Sequence, residues 1–125
     1  MAVTKDPANP IFKGSGQTWD SCGVREAKIF TGPQYFHTLY GGFDGEVRHV
    51  RTRDFRTFEP SPYNPVFTPS PDPDAWDCDG VLTPQVIEID NVYYMVYAGK
   101  RGNEWQTGLA TASNPYNLCL TEAKL

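Results

Sequence analysis

The 125-residue chain has room for a single hydrophobic core and for no more than one ordinary domain, residues 1–125. A formal net charge of −4 and a pI near 5.0 exclude long-range attraction to nucleic acid or anionic lipid, and no apolar run is long enough to span a membrane. Aromatic residues at 14% exclude a disordered chain, while eleven Gly and eleven Pro require many turns.

In chain order, residues 1–7 contain no apolar segment of the signal-peptide kind, so the expected location is cytoplasmic. Residues 24–30 form a short run with β-branched positions, ended by Thr31-Gly32-Pro33, and read as a first strand. Residues 35–43 are aromatic-rich, which suits a half-buried pleated surface, and give a second. A third covers 46–52, and a fourth is expected near Phe58-Glu59 together with Asn64-Pro65-Val66-Phe67. The basic positions Arg48, His49, Arg51, Arg53 and Arg56 are interrupted by Val50, Asp54 and Phe55, the pattern of a solvated strand face. Further on, 81–89, 92–98 and 107–112 read as strands, and a last one is expected near 118–121. Apolar residues nowhere follow a capped helical period.

The second half repeats the first. With Trp19-Asp20 set over Trp76-Asp77, a shift of 57 residues, Gly23-Val24 meets Gly80-Val81, Ile29 meets Val86 and Phe30 meets Ile87. Phe36 then meets Tyr93, Tyr40 meets Tyr97 and Gly42 meets Gly99. Upstream, Asn9-Pro10-Ile11-Phe12 resembles Asn64-Pro65-Val66-Phe67 at a shift of 55. The fold class is therefore all-β and propeller-like, with two four-stranded antiparallel blades: 9–67 with the N-terminal strand, and 68–125. A propeller closes with on the order of four to eight blades. Two blades leave open faces, so the ring is expected to be completed by a homo-oligomer, a trimer being favoured over a dimer.

Within the repeat, residues 19–30 (Trp-Asp-Ser-Cys-Gly-Val-Arg-Glu-Ala-Lys-Ile-Phe) resemble the opening of a blade in the five-bladed β-propeller glycoside hydrolases, the group around families 32, 43, 62, 68 and 130. The second copy, residues 76–87 followed by 92–99, is similar to the same unit, and 108–113 resembles its third strand. The resemblance implies carboxyl groups projecting from the inner strands of several blades into a central funnel. Glu26 matches the acidic site of the inner strand and Arg25 the basic residue before it. In the second copy that position holds Thr83, followed by Pro84, with Asp77 and Asp79 upstream.

Glycoside hydrolysis needs two carboxyls roughly 5–9.5 Å apart, one of them held protonated. The catalytic candidates are Glu26, Asp77 and Asp79, each weighed against a turn cap or an ion pair. Candidate ligand contacts are Trp19, Asp20, Arg25, His37, Trp76, Thr83, Gln85 and Trp105. Indole rings offer a flat apolar face to a sugar, although packing between blades explains Trp19 and Trp76 equally simply. Tyr40, Tyr93 and Tyr97 read as core. No metal or other cofactor is expected: Cys22, Cys78 and Cys119 form no CxxC, and neither His37 nor His49 lies at ligand spacing from a Cys. The expected partner is a carbohydrate or another small polar ligand, with no nucleic acid and no membrane. A carbohydrate-binding or degenerate hydrolase-like module leads. The alternatives are a hydrolase whose site is completed by oligomerisation and a structural protein without sugar affinity.

Overall fold

The computed structural model describes residues 2–14, 23–42 and 44–113. Among the described residues there are strands and turns but no helix. The strands are β1 (Arg25–Thr31), β2 (Phe36–Gly41), β3 (Val47–Thr52), β4 (Glu59–Pro60), β5 (Gly80–Ile89), β6 (Val92–Arg101) and β7 (Glu104–Ala112). They form two antiparallel sheets in chain order, β1-β2-β3-β4 and β5-β6-β7. The fourth strand of the first sheet is only two residues long, and 64–67 add a single bridge, Val47 to Phe67. The strand expected near 118–121 lies outside the described residues.

Turn chemistry fixes the hairpins. Asp90 and Asn91 take left-handed φ values of 52° and 67°, as a two-residue β-hairpin requires. Gly45, at φ 77°, turns β2 into β3. A Cβ there would lie 3.2 Å from the Gly80 Cα, and the Gly45 carbonyl accepts the Val81 N–H at 2.8 Å. The β2–β3 turn is thereby docked on the start of β5.

The repeat is reproduced residue by residue in the backbone. In the first sheet Arg25 faces Gly41 and Lys28 faces Leu39, with a bulge between; in the second, Leu82 faces Ala98 and Gln85 faces Val96, with the same bulge. The Asn-Pro segments match as well. Phe12 meets Tyr40 edge-on at 5.2 Å, and Phe67 meets Tyr97 edge-on at 4.6 Å. Both Asn–Pro bonds are cis.

The core lies between the sheets. Phe30, Leu39 and Val47 from the first sheet pack with Val81, Tyr93, Met95, Tyr97 and Ala110 from the second, closed below by Val66 and Phe67. Each such apolar side chain contributes about 1.5–3 kcal/mol by leaving water. Tyr93 and Tyr97 fill this core as read from the sequence. Tyr40 is buried too, but on the far face of the first sheet, against Phe12.

The basic patch is not a solvated face. Arg48 and His49 are each only 2% exposed. The sequence hides the reason: the charges that neutralise Arg48 lie in the turn before it, and His49 pairs with a ring from the neighbouring strand. Arg48 donates to both oxygens of Asp44 (2.9 and 2.6 Å) and to Glu46 at 3.0 Å. The His37 Nδ1 and His49 Nε2 atoms share a proton at 2.9 Å, with the two rings stacked. Arg53 and Arg56 do remain exposed.

Candidate functional site

Both inner strands open with the same local distortion. Glu26 has φ 58° and Thr83 has φ 51°, and each supplies the bulge of its strand. Left-handed geometry is uncommon for any side-chain-bearing residue and rarer still for a β-branched one. In two matched places it costs on the order of 1–3 kcal/mol each, and such outliers gather at working sites. The bulge takes both residues out of the regular strand pairing, and the Glu26 side chain reaches across to the second sheet. There the Glu26 Oε2 accepts the Thr83 backbone N–H at 3.3 Å. Gly41 lies beside it: a Cβ there would stand 3.7 Å from the same oxygen, an ordinary contact distance. Glu26 is half-buried and Arg25 exposed, its Nε donating to the Gly42 carbonyl at 3.1 Å. Gln85 is exposed two residues past Thr83.

The other acids are engaged within the second blade. Asp77 is 2% exposed and accepts the Tyr97 hydroxyl at 3.3 Å; burial first, and the Asp77 charge next, push the Tyr97 phenol well above its ordinary range. The exposed Asp79 accepts the Gly102 N–H at 2.7 Å, while its own N–H donates to the Lys100 carbonyl. Asp79 thus ties the β6–β7 turn to the start of β5. Trp76 lies over Gly99 and Gly108 and stacks on Tyr97 at 5.6 Å. Trp105, 55% exposed, stands beside that turn with the Lys100 ammonium 5.6 Å from its ring. His37 is fully buried between the sheets, against Phe30 and His49. Trp19 and Asp20 lie outside the described residues.

One cluster escaped the sequence reading. Asp44 and Glu46 flank Gly45 in the turn that docks on Gly80, and Arg48 holds both. Burial raises the Asp44 carboxyl, but the bonds and charge of Arg48 outweigh it and hold the group below its ordinary value. Burial and the Asp44 charge push Glu46 up. The available signal was the four-residue spacing of Asp44 and Arg48 across a glycine turn. No group of His, Cys, Asp and Glu among the described residues is arranged to hold a metal ion.

No protein-family model matches the chain, and no curated protein does. Solved structures do. A candidate glycoside hydrolase from Parabacteroides distasonis ATCC 8503 superposes with a TM-score of 0.73 at 16% identity, covering 90% of this chain and 39% of that one. A structure from the GH130 family of mannoside phosphorylases, which contains glycoside hydrolases that target β-1,2 mannosidic linkages in Candida mannan, gives 0.72 at 18%, over 90% and 38%. The GH43_1 enzyme from Xanthomonas citri, complexed with xylose, gives 0.61 at 13%, over 81% and 32%. The two sheets are thus blades of a β-propeller. The chain has the fold of the GH43, GH130 and related glycoside hydrolases, and spans less than two fifths of the first two structures.

Proposed function

We propose that this hydrolase-like propeller module binds carbohydrate at the seam of its two blades, with Glu26 as the polar anchor. The supporting observation is the Glu26 carboxylate, lifted from its strand by a left-handed bulge and held 3.3 Å from the Thr83 amide. A carboxylate fixed in this way accepts hydroxyl donors from a sugar without first losing side-chain freedom. Trp105 supplies an exposed indole on the hairpin that Asp79 ties to the start of β5. Arg25 and Gln85 are exposed beside the two bulges and add donors.

Binding is favoured over hydrolysis because the second blade's two candidate carboxyls, Asp77 and Asp79, are both engaged. Thr83 occupies the position matched to Glu26, Asp77 is buried under Tyr97, and Asp79 is bonded to the turn. Titration calorimetry with a panel of neutral oligosaccharides tests the reading. Saturable binding is expected, weakened about tenfold or more in Glu26→Gln, the size of a lost charge-assisted hydrogen bond. An equal response of Glu26→Gln and the unmodified chain, or no binding across the panel, refutes it. Turnover of an aryl glycoside that vanishes in Glu26→Gln would instead assign Glu26 to a hydrolytic pair.

A further inference from the structure

The outward faces of the two blades carry, at matched register positions, the counterparts of the two faces buried against each other between them. Strand pairing sorts the side chains. On the first sheet, the face turned to the second carries Lys28, Phe30, His37 and Leu39. Their counterparts in the register of the second sheet are Gln85, Ile87, Tyr94 and Val96, and these lie on its outer face. That face is apolar and open: Ile87 is 60% exposed, Val96 44% and Leu109 36%.

The converse holds at the other end. The second sheet buries Val86, Tyr93, Met95 and Tyr97 against the first. Their counterparts Ile29, Phe36, Thr38 and Tyr40 point away from it. Ile29 is 55% exposed and, with Thr38, Phe12 and Phe58, lines an apolar groove of about 300 Å³. Phe12 stands to Tyr40 here as Phe67 stands to Tyr97 inside the chain.

We infer that a second copy of this chain docks head to tail, its Ile29–Thr38 groove receiving the Ile87–Val96 face of the first. The occupant is set by the repeat: each open face matches the backbone register of a face already buried against the other kind. Such an interface is heterologous, using different patches on the two partners, and it builds a ring or an open chain rather than a closed two-fold dimer. It leaves the Glu26–Thr83 seam within each copy untouched, so it stands apart from sugar binding.

The test is light scattering with size-exclusion chromatography on the 125-residue chain across a concentration series. The expected result is a concentration-dependent oligomer. Val96→Glu and Ile29→Glu each block one face, and both are expected to leave a folded monomer, since the positions are 44% and 55% exposed. Mixed, the two variants retain one good face each and give a one-to-one dimer. Ile87→Glu replaces Val96→Glu should the latter lose its circular-dichroism spectrum. A chain monomeric at every concentration overturns the inference. So does an oligomer that survives both substitutions, or a mixture of the two variants that stays monomeric.

Discussion

Lowering the pH from 7 to 5 should destabilise this protein through two histidines. The His37 and His49 rings are 0% and 2% exposed, and they touch each other at 2.9 Å. Burial first, and the nearby Arg51 charge second, bring the His37 pKa down to about 4. Burial, then His37, then Arg51, bring that of His49 down to about 3. In the unfolded chain both return to about 6.5. A group whose pKa is lower in the folded state takes up its proton preferentially when unfolded. Its full contribution is therefore present above pH 6.5 and is lost as the pH falls towards the folded values. Two such groups give a limiting slope of about 2.7 kcal/mol per pH unit, or about 3 kcal/mol in all between pH 6.5 and 5, since the slope is only half developed at pH 6.5. That is a large share of the roughly 5–15 kcal/mol that holds a small domain together. The carboxylates with lowered pKa values, Asp6, Asp44 and Asp54, act only in their own range near pH 4 and below, and Glu46, whose pKa is raised, takes up its proton preferentially in the folded state and so opposes the loss; the destabilisation in this window belongs to the histidines. Urea unfolding monitored by tryptophan fluorescence at pH 7, 6, 5.5 and 5 measures the slope. His37→Tyr and His49→Leu install the residues that the second sheet carries at the matched positions, Tyr94 and Leu109. Each is expected to remove about half of the slope, and the pair nearly all. Stability constant from pH 7 to 5, or a double variant as acid-sensitive as the unmodified chain, would show the reasoning to be wrong.

Gly99→Ala should destabilise by about 2–3 kcal/mol in thermal or urea unfolding, since its Cβ would stand 2.3 Å from the Trp76 Cζ3 and 2.6 Å from the Asp77 Cβ. Trp76→Ala should cost a comparable amount or more by emptying the space over Gly99 and Gly108. Unchanged stability in either variant would argue that Trp76 stands away from the sheet. Thr83→Asn should raise stability by about 1 kcal/mol, because Asn tolerates the 51° φ that a β-branched residue resists, and the amide bonded to Glu26 is retained. A loss of stability on that substitution would mean that the Thr83 side chain is needed at the seam.

Strands, repeat and blade type were legible because each rests on local pattern. The 57-residue shift that aligns Trp19 with Trp76 also aligns two bulges and two hairpins, the 55-residue shift of the Asn-Pro segments brings a Phe to a matched Tyr in each blade, and local sequence suffices to dictate such features. Burial across strands was not legible. Arg48 and His49 read as a polar strand face because their partners, Asp44, Glu46 and His37, come from a turn and a neighbouring strand, and nothing in a linear pattern announces such pairing. His37, a candidate ligand contact by sequence, is core for the same reason. The Glu26 position was legible from the repeat; its distinguishing feature, a left-handed backbone shared with a threonine, was not.

That shared backbone separates scaffold from chemistry. If the bulge existed only to seat a carboxylate, the blade lacking one would have no reason to keep it. Thr83 keeps it, next to Pro84 and against the preference of a branched side chain, so the bulge must also serve the packing of inner strands. Its contribution there is visible: turning the Thr83 N–H away from the ladder frees it to bind Glu26 of the preceding blade. One distortion thus supplies a carboxylate when it falls on Glu26 and a donor that orients a carboxylate when it falls on Thr83. The seam works as a pair of unequal halves, and exchanging them by Glu26→Thr with Thr83→Glu should leave the fold standing while removing the bond at its centre.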